Sequence, residues 1–263
     1  MPVYNAGSFL KAGIDSILHQ TYLDFELIIV NDGSTDDSEK IVLSYNDPRI
    51  KYYKNEKNSG LIFTLNKGLA FCNGKYIARM DADDICLPER FDKQVNYIES
   101  NQALSGVSCH VSFINEKDET IGEWKEDLLT RSYKQIKKQI VKGNCIAHPS
   151  VMVKAAVLKE YQYNRNQIHI EDYDLWLRIF ADGLKIEKVP EKLLLYRIHQ
   201  TSITSSFLRK SNPFFDQFRC KIKFLSARFS NFSFGLFELK VLITTLKDGI
   251  MGIGKSIKQL FKN

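Results

Sequence analysis

Over the first hundred residues, short continuous apolar runs typical of strands alternate with segments whose apolar residues recur at the helical spacing of three and four. Residues 25–30 form a near-continuous apolar run, and the turn residues 31–34 follow it directly. Such a run predicts a strand that is buried on both faces of a parallel sheet. Because strands and helices alternate, the sequence predicts a doubly wound α/β sheet with ligands at the carboxyl ends of its strands. The other predicted strands are 49–54 and 75–80, and the predicted helices are 8–20, 36–45, 62–72 and 88–101.

The pattern is less regular after about residue 104, and no internal repeat is present. A strand is predicted over 107–114, a helix over 128–141 and a loop that enters a strand over 148–153. A further helix follows over 170–181, and residues 186–198 contain one or two strands. The second half of the body is therefore expected to be organised differently from the first.

Positive charge is concentrated at the C-terminal end of the chain. Residues 207–263 hold eleven lysines and arginines against three acidic residues, and ten of the 17 phenylalanines. Residues 1–206 carry a net charge of −2, and the polar stretch 201–206 separates the two parts. Apolar residues recur at helical spacing over 214–229 and 249–261, with basic residues between them. The tail is predicted to form amphipathic helices that bind an anionic membrane surface, and packing of the same faces on the body is the alternative.

Composition narrows the class of protein further. With 44% hydrophobic and 26% charged residues, the chain has an ordinary globular composition. Its five cysteines contain no Cys-x-x-Cys pair, which argues against a zinc ribbon or a disulfide framework and fits a reducing compartment. Neither a signal peptide nor an apolar run long enough to span a membrane is predicted, so the expected protein is intracellular and either soluble or bound to a membrane surface. Nucleic acid is not an expected partner, because no aromatic stacking motif or recognition helix accompanies the basic residues.

Three carboxylates, those of Asp81, Asp83 and Asp84, follow the strand predicted at 75–80. Like charges this close repel one another, and a divalent cation relieves that repulsion. Hard oxygen ligands suit Mg²⁺ or Mn²⁺, which can also bridge to a diphosphate. A solvated acidic turn before the helix that opens at Pro88 is the alternative, and the carboxylates alone leave both interpretations open.

Two other acidic segments each have a functional and a structural interpretation. Asp32 ends a predicted strand, where it can accept from a base N–H or a ribose hydroxyl, or belong to a turn whose Ser34 or Thr35 caps the next helix. Glu171 and Asp172 open a predicted helix, where they either complement the helix dipole or provide a general base. The chain has neither a Gly-x-Gly-x-x-Gly fingerprint nor a Gly-x-x-x-x-Gly-Lys phosphate loop, so dehydrogenase-type and P-loop chemistry are not expected.

Short motifs occur in a fixed order along the body. They are Pro2-Val3-Tyr4-Asn5, Asn31-Asp32-Gly33-Ser34, Asn58-Ser59-Gly60, Asp81-Ala82-Asp83-Asp84, His148-Pro149-Ser150, Glu171-Asp172 and Tyr196-Arg197-Ile198-His199. Each motif is weak by itself. As an ordered set covering about residues 1–205, they closely resemble the family 2 glycosyltransferases of the GT-A fold.

The resemblance implies a fold and an activity. It implies a single Rossmann-like GT-A domain over 1–206 with a mixed central sheet, followed by the basic, Phe-rich amphipathic helical tail 207–263. The nucleotide-binding half is expected over about 1–103 and the acceptor-binding half over about 104–206. The expected activity is inverting, metal-dependent transfer of a sugar from a nucleoside diphosphate sugar, with UDP as the expected nucleotide, to a saccharide or lipid-linked saccharide in cell-surface polysaccharide synthesis. The expected location is the cytoplasm, at the inner face of the plasma membrane.

The resemblance also implies the site residues. Mn²⁺ or Mg²⁺ is expected to bind Asp81, Asp83 and His199. Asp172 is expected to be the catalytic base, and Glu171 to orient the acceptor or the base. The remaining expected contacts are, on the donor side, Pro2, Tyr4, Asn5, Asp32, Asn66, Arg79, Asp81, Ala82 and Asp83, and, on the acceptor side, His148 and Trp176.

Two features depart from the family pattern. Relatives usually place about five apolar residues before the motif that here begins at Pro2. Either the start of the sequence is misassigned or the first strand of the sheet is short, and the sequence leaves both interpretations open. Relatives often carry an Arg-Asn pair where this chain has Leu65 and Asn66. The phosphate contact of that arginine is therefore expected to come from Arg79 or Lys67.

Two other functions are alternatives to a glycosyltransferase, and one feature of the sequence argues against each. A sugar nucleotidyltransferase usually has a Gly-rich, basic phosphate loop near its N-terminus, and residues 5–8 lack one. A catalytically inactive, membrane-associated partner subunit has no reason to retain Asp32, Asp81, Asp83 and Asp172 together. A glycosyltransferase is therefore the leading hypothesis.

Overall fold

A computed structural model of the chain describes residues 1–200, 202 and 212–260, with side chains described up to residue 256. Most of the polar stretch 201–206 and residues 261–263 lie outside the described residues. Two predicted features therefore lie outside the described residues. They are the boundary after residue 206 and the end of the second amphipathic segment.

The first hundred residues form alternating strands and helices, as predicted. β2 begins later than the apolar pattern indicates, because the first bond to the neighbouring strand segment joins Leu27 N–H to Arg49 O at 2.8 Å. The elements are β1 (Pro2–Val3), α1 (Gly7–Leu18), β2 (Leu27–Asn31), α2 (Ser38–Leu43), β3 (Ile50–Lys54), α3 (Leu61–Phe71), β4 (Tyr76–Ala78), β5 (Ile85–Cys86) and α4 (Arg90–Ser100).

The second half differs more from its predicted pattern. The predicted helix 128–141 is divided, because Ser132 and Gln135 form a capping box that starts a new helix. The elements are β6 (Gly106–Ile114), β7 (Thr120–Glu123), α5 (Lys125–Leu128), α6 (Tyr133–Ile140), a 3₁₀ turn (His148–Ser150), β8 (Met152–Lys154), α7 (Ala155–Tyr161), α8 (Glu171–Ala181), β9 (Ile186–Arg197), α9 (Pro213–Ser230) and α10 (Leu236–Leu260).

The strands form two hydrogen-bonded sheets. β1, β2 and β3 make a parallel three-stranded sheet in that order. The second sheet has the order β4-β8-β6-β9-β5, and β7 pairs with β6 outside this row. In it β6 and β9 run parallel, whereas the pairs of β4 with β8, β6 with β8, and β5 with β9 are antiparallel. The predicted α/β fold with a mixed sheet is confirmed.

β1 has two residues and lies beside a cavity. The N-terminal amine of Met1 is buried and donates to Ile28 O at 2.8 Å. Burial lowers the pKa of this amine to about 6. A cavity of about 570 Å³ extends from β1 and β2 to β4, with Val30, Leu65 and Ile77 among the apolar residues that line it.

The apolar core has two parts, and the C-terminal helices belong to one of them. Phe224 and Leu225 of α9 and Val241 of α10 are buried in the same cluster as Trp176 and Phe180 of α8. Within the apolar face predicted over 214–229, Leu225 is buried on the body. Ile222 and Phe229 of the same face are 44% and 74% exposed, so this face packs on the body only in part. No helix among the described residues combines the length and the apolar character needed to cross a bilayer.

Candidate active site

The loops that follow β1 and β2 are tied to each other by side-chain hydrogen bonds. Asn5, whose φ is 48°, donates its N–H to Ser34 Oγ at 3.0 Å and accepts from Thr35 N–H at 2.8 Å. The neighbouring Tyr4 is 49% exposed, and Pro2 is half-buried in β1. Among these predicted donor residues, Asn5 therefore holds the loop, whereas the Tyr4 ring is accessible.

Asp32 lies at the end of β2 and organises the loop at residues 55–60. Its side chain is buried; Oδ1 accepts from Asn55 Nδ2 at 2.7 Å and from Ser59 N–H at 2.8 Å, and Oδ2 accepts from Gly60 N–H at 2.9 Å. An ionised carboxylate offers about four acceptor positions. Asp32 thus fixes its surroundings and retains capacity for one further donor.

Two glycines allow close approaches around these loops. Gly33 has φ 70°, and a Cβ there would lie 2.6 Å from the backbone of Lys57. Gly13 of α1 lies against the loop after β4, since a Cβ there would lie 2.9 Å from Ala82 O. The predicted donor residue Ala82 is buried at this contact. A larger side chain at either glycine would therefore displace a loop that carries site residues.

The strongest cluster of acidic groups follows β4. One carboxylate oxygen each from Asp81, Asp83 and Asp84 lie within 4.8 Å of one another. Burial, together with the charges of Asp81 and Asp83, raises the pKa of Asp84 well above its usual value, and its Oδ2 has no hydrogen-bond partner among the described residues. Burial also raises the pKa of Asp81, although its ion pair with Arg79 opposes this. Hard oxygen ligands at this spacing, one of them buried and unpartnered, fit a divalent cation.

The end of β9 packs against the acidic cluster and supports it. His199 Nε2 lies 2.9 Å from Asp83 Oδ2. Arg197 donates its backbone N–H to Asp84 Oδ1 at 2.8 Å and its Nε to Asp83 O at 2.7 Å. Its guanidinium also lies 4.7 Å from the ring centroid of Phe9 on α1. His199 thus lies beside the cluster, and its role as a metal ligand stays a prediction. Arg197 holds the loop in shape.

A second pair of carboxylates lies in the first turn of α8. Asp172 Oδ2 accepts from Asn144 Nδ2, and its Oδ1 accepts from the N–H of Tyr173, both at 2.7 Å. Burial raises the pKa of Asp172. Burial, together with the charge of Asp172, raises the pKa of Glu171 to about 7, and Glu171 Oε2 has no hydrogen-bond partner in the part of the chain that is described.

Arg79 connects the two acidic groups electrostatically. Burial raises the pKa values of Asp81, Glu171 and Asp172, and the positive charge of Arg79 opposes the rise at all three. The charge of Asp81 in turn raises the pKa of Glu171. Arg79 is buried, and its Nε finds no acceptor among the described residues. The fold therefore brings the two groups, separated by about ninety residues in sequence, within electrostatic range of each other and of the buried Arg79.

The raised pKa of Glu171 predicts a pH-dependent gain of stability on substitution. A carboxyl whose pKa rises from 4.5 in the unfolded chain to about 7 stabilises the folded state below pH 4.5, and this contribution is lost as pH rises through 7. Glu171→Gln does not titrate, so its free energy of unfolding relative to the unaltered chain should increase by about 2–3 kcal/mol between pH 4.5 and 8. Urea denaturation at both pH values measures this difference. The exposed Glu160→Gln is the matched control, and a Glu171→Gln difference that does not change with pH would contradict the prediction.

The predicted acceptor residue His148 belongs to a buried hydrogen-bonded row. His148 Nε2 lies 2.7 Å from Tyr163 Oη, and both backbone polar groups of Tyr163 bond to the amide of Asn66 at 2.9 Å. Burial lowers the pKa of His148 well below its usual value, so the ring is neutral. Trp176 has no exposed surface and packs edge-on to the His148 ring. Asn66 therefore positions Tyr163, and Trp176 supports His148 from the core.

The structure places most of the predicted site residues in or around these loops and acidic groups, and it shows further residues in contact with them. Asn144, Asn55 and Tyr163 are isolated polar residues with no sequence signal of their own. Asp84 and Arg197 lie within the motifs 81–84 and 196–199, so the sequence could have indicated both as site residues. The predicted residues that lie around the two acidic groups are Arg79, Asp81, Ala82, Asp83, Glu171, Asp172 and His199, whereas Pro2, Tyr4, Asn5 and Asp32 lie in β1 and in the loops after β1 and β2.

The mixed α/β fold and the acidic loop that follows one of its strands are those of a GT-A glycosyltransferase. Residues 1–161 match the family model described as glycosyl transferase family 2. The chain therefore belongs to glycosyltransferase family 2.

Relatives with similar sequences have glycosyltransferase names. An uncharacterized glycosyltransferase of Methanocaldococcus jannaschii is 40% identical over 202 residues, which cover 75% of this chain and 69% of the relative. The O-antigen biosynthesis glycosyltransferase WbnJ of Escherichia coli is 38% identical over 213 residues, which cover 79% of this chain and 82% of the relative.

Solved structures agree on the fold. TarS 1–349 of S. aureus in complex with UDP-GlcNAc has a TM-score of 0.71 and 18% identity, with 95% of this chain and 79% of that chain covered. The mannosyltransferase PcManGT from Pyrobaculum calidifontis, in complex with GDP-Man and Mn²⁺, has a TM-score of 0.65 and 13% identity, with 96% and 73% covered. Another crystallised TarS chain is longer, and this chain spans 38% of it.

Proposed function

We propose that the protein is an inverting, metal-dependent glycosyltransferase that moves a sugar from a nucleoside diphosphate sugar to a hydroxyl acceptor. The observation that carries the proposal is that two acidic groups, distant in sequence, both interact electrostatically with the buried Arg79. One group, Asp81 with Asp83 and Asp84, is suited to a cation and a diphosphate. The other, Glu171 with Asp172, is suited to proton removal, because burial raises both pKa values toward neutrality.

The cation in this proposal is Mn²⁺ or Mg²⁺. Asp81, Asp83 and Asp84 would hold it, with His199 at the side of Asp83. When bound, such an ion supplies Lewis-acid stabilisation of the departing diphosphate. Asp83 already accepts from His199, and Arg197 keeps its backbone in place, so the carboxylates are held before any ligand arrives.

The proposed base is Asp172. Asn144 and the N–H of Tyr173 each bond to one of its oxygens, and these bonds fix the direction of the carboxylate. Removal of a proton from the acceptor hydroxyl strengthens that oxygen as a nucleophile. This oxygen then attacks the anomeric carbon on the face opposite to the diphosphate. As the new bond forms, the bond between the anomeric carbon and the diphosphate oxygen breaks, the nucleoside diphosphate leaves with the bonding electrons, and the configuration at that carbon is inverted. Glu171, next to it in sequence and with an unpartnered oxygen, would orient the acceptor.

The donor proposed for this site is a UDP-sugar. The TarS structure that shares the fold was solved with UDP-GlcNAc, which supports this choice. The E. coli relative acts in O-antigen biosynthesis, which supports a saccharide or lipid-linked saccharide acceptor in cell-surface polysaccharide synthesis. In this proposal residues 1–103 bind the nucleotide and residues 104–206 bind the acceptor.

We also propose that the protein works in the cytoplasm at the inner face of the plasma membrane. The tail 207–263 would hold it there through its basic residues, eleven against three acidic ones. A lipid-linked acceptor would then be presented at the same surface.

Calorimetric titration with UDP, GDP, CDP and TDP, each with and without Mn²⁺, tests the donor site. We expect UDP to bind at least about tenfold more tightly than the other three when Mn²⁺ is present, because the proposed donor is a UDP-sugar and a bound divalent ion would offset the charge of the diphosphate. Preference for another nucleotide would replace UDP in the proposal. The absence of binding by all four would contradict an active donor site and favour an inactive partner subunit.

A further inference from the structure

The face of α10 that points away from the body carries an exposed apolar stripe. Its residues recur at spacings of three and four, so they lie on one side of the helix. The opposite side, which includes Phe237 and Val241, is buried against the rest of the protein. α10 is thus apolar on two sides. The outer stripe consists of Leu239, Leu242, Ile243, Leu246, Ile250 and Ile253, which are 36–71% exposed.

The acidic residues of α10 are buried, whereas two of its lysines are exposed. Its two acidic side chains, Glu238 and Asp248, are 4% and 10% exposed and form ion pairs with basic residues of α9 at 2.9 and 2.6 Å. Lys240 and Lys247 are exposed instead. They are seven residues apart and therefore flank the outer stripe on the same side of the helix. The surface around the stripe consequently presents positive charge without the negative charge of its own helix.

The turn between α9 and α10, together with the last residues of α9, adds exposed aromatic rings. Phe232 is 99% exposed at a residue with φ 52°, Phe229 is 74% exposed and Phe234 is 44% exposed. Large apolar groups gathered beside an apolar helix face mark an interaction surface rather than an ordinary solvated one.

We propose that the outer stripe of α10 inserts into the interfacial region of an anionic bilayer, with Lys240 and Lys247 contacting lipid phosphates. This inference rests on the membrane location in the proposed function and names the residues that make the contact. It assigns the contact to α10 and the adjoining turn. On α9, Phe224 and Leu225 are buried in the body, whereas Ile222 and Phe229 are exposed.

Charge complementarity favours a bilayer over a second copy of the chain. A second copy would bring its own Lys240 and Lys247 to the same face, where like charges repel. An anionic leaflet offers negative charge at its surface and hydrocarbon beneath it, and both match the arrangement of lysines beside apolar residues.

Flotation of the full chain with vesicles tests the proposal. The unaltered protein should bind phosphatidylglycerol-containing vesicles and bind pure phosphatidylcholine vesicles much more weakly. Replacing Leu239, Leu246 and Ile250 together by serine should lower the partition coefficient about 100-fold or more, because three apolar side chains no longer enter the membrane. Changing Lys240 and Lys247 to glutamine should lower it about 20-fold on anionic vesicles and hardly at all on neutral ones.

A matched control uses equally exposed leucines of the body. Leu23, Leu43 and Leu129 are 64–72% exposed, and their replacement by serine should leave vesicle binding unchanged. UDP titration of every variant reports the donor site separately, so a failed donor proposal and a failed membrane proposal give different results. Undiminished vesicle binding by the stripe variant would overturn the inference. The inference would also be overturned if analytical ultracentrifugation showed a dimer that does not bind vesicles and that dissociates when the stripe residues are replaced.

Discussion

Asp172→Asn should reduce sugar transfer by about 10³-fold and leave donor affinity within about twofold of the unaltered protein. The amide has nearly the same shape as the carboxylate, but it cannot take a proton from the acceptor hydroxyl. Asn144 and the N–H of Tyr173 contact Asp172, and among the described residues neither is hydrogen-bonded to Asp81, Asp83 or Asp84, so donor binding should survive the change. Steady-state transfer rates and calorimetric titration with the donor nucleotide measure the two quantities separately.

The control for this prediction lies on the same helix. Asp182 follows the last turn of α8, where it pairs with Arg228 and Tyr161 at the end remote from Asp172. Asp182→Asn should therefore keep nearly full turnover. Near-normal transfer by Asp172→Asn would remove Asp172 as the base and leave Glu171 as the candidate.

Asp83→Asn should abolish the Mn²⁺-dependent part of donor binding, an effect of at least about 100-fold in affinity. The substitution replaces a negative oxygen ligand by a neutral amide in a cluster of three carboxylates. Titration of the nucleotide without metal should give the same weak affinity for both proteins. Titration of Mn²⁺ alone should likewise show weaker binding by the variant, which provides a measurement that does not depend on transfer activity.

An exposed aspartate offers the matched control. Asp37, whose side chain is 72% exposed and pairs with Lys40, precedes α2 away from the cluster. Asp37→Asn should bind both Mn²⁺ and donor as the unaltered protein does. An undiminished Mn²⁺ effect in Asp83→Asn would show that the ion, if bound, uses other ligands.

The first half of the fold could be predicted well because its elements depend on local patterns. The buried run that contains β2 and the helical spacing of α1 and α3 are visible within single segments. The second half was less predictable. β8 is three residues long and separates β4 from β6, and such a pairing depends on residues that are distant in the sequence. The helix α7 immediately after β8 shows no long apolar period of its own.

The sequence could predict those site residues that belong to short motifs. The resemblance led to Asp83 and His199, which lie 116 residues apart and contact each other in the structure. It could not lead to Asn144, because a single asparagine gives no pattern until the fold sets it against Asp172. Trp176 illustrates the opposite case, since the sequence favoured an acceptor contact and the structure buries its ring completely.

The sequence by itself determined the order of elements, the acidic residues after the strands and the basic character of the tail, because each depends on neighbours within a few positions. Only the tertiary structure decided that a buried Arg79 acts on both acidic groups, that burial raises the pKa of Glu171 to about 7, and that α10 keeps a long apolar stripe exposed. Burial, charge coupling and packing arise between distant segments, and the fold alone brings those segments together.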